Sequence, residues 1–89
     1  MKYRVITTKK FNKKFKKLDK PIKILILKWI NKNLNGTEDP RQHGKALVEN
    51  LRGYWRYRIG DYRLLCEIQD EKLIIVALNI GHRSEIYKS

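Results

Sequence analysis

Three arginines, Arg56, Arg58 and Arg63, stand close together in the segment Trp55-Arg56-Tyr57-Arg58-Ile59-Gly60-Asp61-Tyr62-Arg63-Leu64. The chain then closes on Gly81-His82-Arg83-Ser84-Glu85-Ile86-Tyr87. Alternation along a strand sends Arg56 and Arg58 to one face and Trp55 and Tyr57 to the other. Guanidinium groups grip phosphate oxygens bidentately, so a row of them on a sheet is a phosphate-binding surface. Surface pairing with Asp61, Glu67 and Glu85 is worth about 0–1 kcal/mol and would not explain three arginines converging on neighbouring strands. His82, Arg83 and Tyr87 add groups that move protons or steady a charged transition state. Together these residues predict chemistry on a nucleic acid. Tyr54 and Tyr62 are expected on the arginine faces as base-stacking platforms, with Trp55 and Tyr57 in the core.

Other chemistries lack their residues. His43, His82 and Cys66 are too few and too scattered for a metal-ligand set, so no metal is expected. There is no glycine loop for a nucleotide cofactor and no serine-centred nucleophile motif. Catalysis, if present, must run on side chains alone, without a cofactor. His43, in Arg41-Gln42-His43-Gly44, reads as a structural loop residue.

The charge supports a polyanionic partner. The 89 residues hold 21 Lys and Arg against 9 Asp and Glu, a formal charge of +12. Such a field attracts nucleic acid and makes binding salt-dependent. Lys9, Lys10, Lys13, Lys14, Lys16, Lys17 and Lys20 crowd the first part, where Asp19 is the one acid among residues 1–35. An ordinary helix surface mixes signs at i, i+4; here compensation is missing, so these lysines are expected to face RNA or the ribosome, with Arg52 and Tyr62 assisting. Hydrophobic residues make up 42% of the chain, enough for one core, and residues 1–89 are expected to form a single domain. The lone Cys66 excludes an internal disulfide and fits a reducing cytoplasm. Met1-Lys2-Tyr3-Arg4 does not read as a signal peptide, and the apolar run at 22–30 is too short and lysine-broken to span a bilayer.

The elements that must position these groups follow from periodicity. Residues 2–7 read as a strand. Thr7 or Thr8 can cap a helix running to about Leu18, with Phe11, Phe15 and Leu18 on one stripe. Pro21 begins a second helix in which Ile22, Leu25, Ile26, Trp29, Ile30 and Leu34 follow the i, i+3, i+4 rule. Ile24 and Leu27 widen its apolar arc, predicting a docked partner near Trp29 and Leu34. Asn35-Gly36 ends it, and 37–45 reads as a loop. Strands are predicted at 54–59, 62–69 and 73–80, the last apolar on both faces and therefore interior. The order β-α-α-β-β-β predicts an α+β domain with two N-terminal helices packed on a small antiparallel sheet.

In this order and spacing the chain resembles the RelE/ParE toxin superfamily of bacterial toxin–antitoxin systems, on its RelE-like side. The resemblance rests on Pro40-Arg41-Gln42-His43-Gly44-Lys45-Ala46-Leu47, on the Trp55–Arg63 segment and on the Gly81–Tyr87 ending. It implies a toxin that cuts mRNA in the ribosomal A site. It also implies a RelB-like antitoxin that wraps an acidic helical segment around it, and operator DNA touched only through that antitoxin. By the same resemblance Arg63 matches the arginine that contacts the scissile phosphate, and Arg83 the arginine after the final Gly-x. Tyr87 matches the terminal tyrosine, and Arg56 and Arg58 stand where the best-studied members carry lysines.

The implied reaction is attack of a 2′-hydroxyl on the adjacent phosphate, giving a 2′,3′-cyclic phosphate and a free 5′-hydroxyl. Arg63, with Arg56 or Arg58, suits charge stabilisation. Arginine, with a pKa above about 12, is a poor base, which leaves Tyr87 and His82 to share the acid–base work. Ionising a tyrosine at pH 7 costs about 4 kcal/mol unless nearby cations lower it. Two other functions remain open on this fold: a ParE-like toxin acting on DNA gyrase without cleavage, and a non-catalytic nucleic-acid-binding domain.

Overall fold

A computed structural model describes residues 1–47 and 53–86; Arg52 and Tyr87 lie outside the described residues. The elements are β1 (Arg4–Thr7), α1 (Lys9–Lys16), α2 (Lys20–Asn33), a 3₁₀ turn at Pro40–Gln42, β2 (Lys45–Ala46), β3 (Trp55–Ile59), β4 (Tyr62–Gln69) and β5 (Ile74–His82). This is the α+β arrangement expected, two helices on a five-stranded, mostly antiparallel sheet of order β1-β5-β4-β3-β2. β5 has a neighbour on either side, the interior position expected of a strand apolar on both faces.

Two features of the sheet depart from the sequence reading. β1 pairs with β5 in parallel, Arg4 opposite Ile74 through Thr7 opposite Ala77. The chain between them includes both helices, ample for the crossover that a parallel pair needs. β2 forms within the expected loop, Lys45 opposite Arg56 and Ala46 opposite Trp55. Two residues are too few to carry an alternation signal.

Thr8 starts α1: its Oγ accepts from the Phe11 N–H at 3.2 Å and donates to the Ala77 carbonyl at 2.9 Å, fastening the helix start to β5. Beyond α2, Asn35 turns its Oδ1 to the Val5 N–H at 2.8 Å, satisfying a donor on the outer edge of β1. Phe11, Ile26, Ile30 and Leu34 bury against Tyr57, Ile59, Leu64, Cys66, Ile75, Ala77 and Ile80. Each such aliphatic side chain contributes roughly 1.5–3 kcal/mol by leaving water.

A bulge decides which β5 residues reach this core. Leu65 pairs with Asn79 but Cys66 with Ala77, so Leu78 is skipped and the alternation changes phase. Ile75, Ala77 and Ile80 thereby all face the helices. On α2 the apolar arc is wider than one sheet face can cover, and Leu25 is 45% exposed rather than core, beside Ile24 at 44% and Leu27 at 46%. Leu34 is fully buried, and Trp29 packs on Tyr57 with ring centroids 5.6 Å apart. Of the two residues expected to mark the docking surface, Leu34 is core and Trp29 is half-buried against it; the large apolar residues that α2 leaves exposed are Ile24, Leu25 and Leu27. No helix among the described residues is long and apolar enough to cross a membrane.

Candidate functional site

Tyr57, Ile59 and Leu64 face the helices, so Arg56, Arg58 and Arg63 face the other side of the sheet. The register sharpens this placement. Arg58 is directly opposite Arg63 across the β3–β4 pair, and Lys45 is directly opposite Arg56 across β2–β3. Cross-strand partners of this kind hold their Cβ atoms about 4.5–5.5 Å apart, and like charges so placed repel. Two cationic rungs thus lie side by side. Gly44, Lys45, Arg56, Arg58 and Arg63 line one open groove of about 250 Å³. Arg63 donates from Nη1 to the carbonyl oxygens of Gly60 and Tyr62 at 3.0 and 2.9 Å, which fixes its guanidinium at the hairpin end.

Lys45 and Gly44 were not singled out from the sequence as site residues. The signal was weak, a lysine after a glycine in a segment without periodicity. What delivers Lys45 is the 40–44 segment, clamped onto β3 by two side chains. The Trp55 indole N–H donates to the His43 carbonyl at 2.7 Å, and the buried Tyr57 hydroxyl donates to the Pro40 carbonyl at 2.7 Å. Burial pushes the Tyr57 phenol well above its ordinary range, so it stays a neutral donor. Gly44 has φ +80°, and a Cβ there would overlap the Arg56 carbonyl oxygen. His43 sets its ring edge-on to Trp29, 5.8 Å between centroids, in the structural role expected. Outside the groove, Arg41 forks onto Asp70 at 2.9 and 3.1 Å, and Tyr3 donates to the same carboxylate at 2.6 Å. The Arg41 and Tyr3 hydrogen bonds hold the Asp70 carboxyl below the usual range.

The expected stacking residue Tyr62 sits on the other face. It pairs with Ile59 and His82, and its ring meets His82 edge-on at 5.6 Å. Adjacent residues on a strand point oppositely, so Tyr62 cannot share a face with Arg63. Tyr54 stands just before β3, half-buried, its carbonyl accepting from the Leu47 N–H at 3.1 Å. His82 is likewise on the helix side, at the end of its strand. Its Nδ1 accepts from the Ser84 backbone N–H at 3.2 Å and lies 2.8 Å from the Ser84 hydroxyl. The neutral ring therefore carries its proton on Nε2.

The tail turns sharply after β5. The Arg83 N–H donates to the Asp61 carbonyl at 2.8 Å, and Arg83 is exposed beside the hairpin that carries Arg63. Ile86 is buried where a Cβ on Gly81 would point, 3.2 Å from the Ile86 Cδ1. Gly81 is the cross-strand partner of Arg63, but Ile86 also lines the helix-side recess with Leu18, Tyr62, Ile80 and His82. Lys14 and Lys17 line a second recess, about 260 Å³, with Tyr62, His82 and Glu85 on the helix side. Lys9, Lys10, Lys13, Lys16 and Lys20 are exposed on α1 and at the start of α2. The sheet therefore separates the lysine face from the arginine groove, which are two surfaces rather than one.

Two helices over a five-stranded sheet with cations on its open face define a fold shared by toxins of bacterial toxin–antitoxin systems. The family described as ParE toxin of type II toxin–antitoxin system, parDE, matches residues 5–87, and the chain belongs to that family. It is similar to Toxin RelG of Mycobacterium tuberculosis, 40% identical over 52 residues; the match spans 58% of this chain and 60% of that relative. Its structure resembles the toxin–antitoxin complex RelBE2 from Mycobacterium tuberculosis, with a TM-score of 0.84 and 31% identity over 93% of this chain and all of that one. It also resembles the Escherichia coli RelBE complex, with a TM-score of 0.71 and 20% identity over 90% and 95% of the two chains; that likeness shows the fold alone.

Proposed function

We propose that this chain is the toxin of a type II toxin–antitoxin pair and acts as a ribosome-dependent endoribonuclease on mRNA in the A site. The observation that carries this reading is the pair of cationic rungs, Arg58 with Arg63 and Lys45 with Arg56, converging in one groove. Guanidinium and ammonium groups gathered from neighbouring strands suit the oxygens of a phosphate. A pentavalent phosphate, richer in negative charge than its ground state, gains most from such a groove. Arg83, beside the same hairpin, adds a further cation. Tyr87 carries the proton in this reading, taking it from the 2′-hydroxyl and returning it to the leaving 5′-oxygen. His82 lies on the helix side with its Nδ1 engaged by Ser84, so this reading gives the proton work to Tyr87 and leaves His82 outside the groove. The lysine face of Lys9 to Lys20 meets ribosomal RNA while the groove holds the message.

The matched structures are toxin–antitoxin complexes, which supports an antitoxin as the protein partner. An acidic amphipathic helix suits the exposed Ile24, Leu25 and Leu27 with their neighbouring lysines. A second reading, poisoning of DNA gyrase without RNA cleavage, draws on the ParE description of the matched family. Brief induction of the wild-type chain followed by mapping of mRNA ends separates the two. The nuclease reading expects codon-phased cuts in translated messages, lost in Arg63→Ala. A DNA-damage response without cuts would replace it by the gyrase reading.

A further inference from the structure

We infer that the recess between α1 and the end of β5 is a nucleotide site, taking one unstacked base of a folded RNA and the phosphate beside it. This deepens the proposed function and rests on the lysine face being turned to RNA.

The recess holds about 260 Å³. That is below the ~300–1,000 Å³ of pockets for drug-sized ligands, and suits a single base. Leu18, Ile80 and Ile86 give it apolar walls. Tyr62 and His82 line it together, their rings crossed at 83° with centroids 5.6 Å apart. Aromatic side chains are what an unstacked base requires, since every base has a π-face. His82 accepts at Nδ1 from the Ser84 N–H, so Nε2–H is the donor it offers a base edge. Lys14 and Lys17 complete the lining from α1. Three residues apart on a helix, their Cβ atoms lie about 5–6 Å from each other, close enough for both ammonium groups to meet one phosphate. Their stems run along apolar surface while the charges stay at the mouth. Residues 9–18 contain no acid, and Glu85 is the one acidic residue in the lining, so the mouth keeps a positive charge. A carboxylate accepts from the N–H groups of a base and repels a phosphate or another carboxylate. Glu85 therefore places the base near itself and the phosphate at the lysines, and it favours a nucleotide over an acidic peptide.

The test uses the full-length chain and two RNA hairpins that differ by one bulged uridine. Wild type is expected to bind the bulged hairpin about tenfold tighter than the fully paired one, the scale of one base–aromatic contact. Tyr62→Leu should bring that ratio close to one. Tyr62 packs on the core, so a second variant keeps the test independent of its folding. Lys14→Gln combined with Lys17→Gln should lower the slope of log affinity against log salt on the bulged hairpin by about 0.7, the release from one single-strand phosphate. Lys9→Gln, outside the recess, should weaken both hairpins alike. A 5-iodouridine placed in the bulge and irradiated should cross-link to the peptide carrying Tyr62 or the one carrying His82. A wild-type ratio near one, or cross-linking confined to residues 44–58, overturns the site. So does a glutamate- and leucine-rich peptide that shifts the Tyr62 and His82 ring resonances where the bulged hairpin does not, which would give the recess to a protein partner. If the bulge maps to Tyr62 or His82 while wild type leaves translated mRNA uncut, the nuclease reading falls and the nucleotide site stands. If wild type cuts but shows no preference for the bulge, the reverse follows.

Discussion

Gly44→Ala should damage this protein more than any other glycine-to-alanine change at comparable backbone geometry. The residue has φ +80°, a conformation costing a side-chain-bearing residue about 1–2 kcal/mol. The added methyl also has nowhere to go: besides the Arg56 carbonyl oxygen it meets Trp55 Nε1 at 2.7 Å and Tyr57 Cδ1 at 3.0 Å. To relieve the overlap the 40–44 segment must lift from β3 and release the Trp55 bond to the His43 carbonyl, which is worth about 1 kcal/mol, or more if the indole N–H stays half-buried without a partner. With the indole N–H left half-buried without a partner, at about 2 kcal/mol, the sum is about 3–4 kcal/mol. Gly36 supplies the control, with φ +82° and nothing within 4 Å of its would-be Cβ, so Gly36→Ala should cost the backbone strain alone. Thermal unfolding followed by circular dichroism reads the difference: at 4–8 °C per kcal/mol for a domain of this size, roughly 15–30 °C for Gly44→Ala against roughly 5–15 °C for Gly36→Ala. Because β2 carries Lys45, the Gly44 variant should also lose RNA affinity while the Gly36 variant keeps it. Equal melting temperatures would refute the close packing of the segment on β3.

Three further perturbations test the fold. The Tyr57 phenol is raised by burial, so its contribution to stability is fully present below about pH 10 and disappears as pH rises toward the folded-state value. Urea midpoints should therefore fall on the alkaline side, and less steeply in Tyr57→Phe; identical alkaline slopes would show that this hydroxyl is not what titrates. The Asp70 carboxyl is lowered, so its contribution is present above about pH 4 and fades as pH falls below that, a small effect for so exposed a group. Cys66 is fully buried and its thiol is pushed far up, so a maleimide should label it only as fast as the chain unfolds. Prompt labelling in native buffer would contradict the core described above.

Much of this architecture was legible in the chain because local rules and tertiary needs agree. Thr8 caps where a threonine before a lysine-rich, Phe11-anchored helix should, and the 62–69 strand begins and ends where alternation and the Gly60-Asp61 turn place it. Arg56, Arg58 and Arg63 shared a face as soon as β3 and β4 were hairpin partners, since two-residue periodicity and a two-residue turn leave one register. Sequence alone also determined the excess of positive charge, the lack of a metal-ligand pattern and the family resemblance.

Other features depended on partners remote in the chain. Tyr62 reads like its arginine neighbours but belongs to the helix side. Leu25 fits the helical stripe yet remains in solvent, because a sheet covers only part of so wide an arc. The phase change at Leu78, the parallel docking of β1 and the two-residue strand that carries Lys45 opposite Arg56 leave no local periodicity, since each is set by pairing across the sheet. Residue types decide which groups can hold a phosphate; strand register, a property of the assembled sheet, decides which of them stand opposite one another.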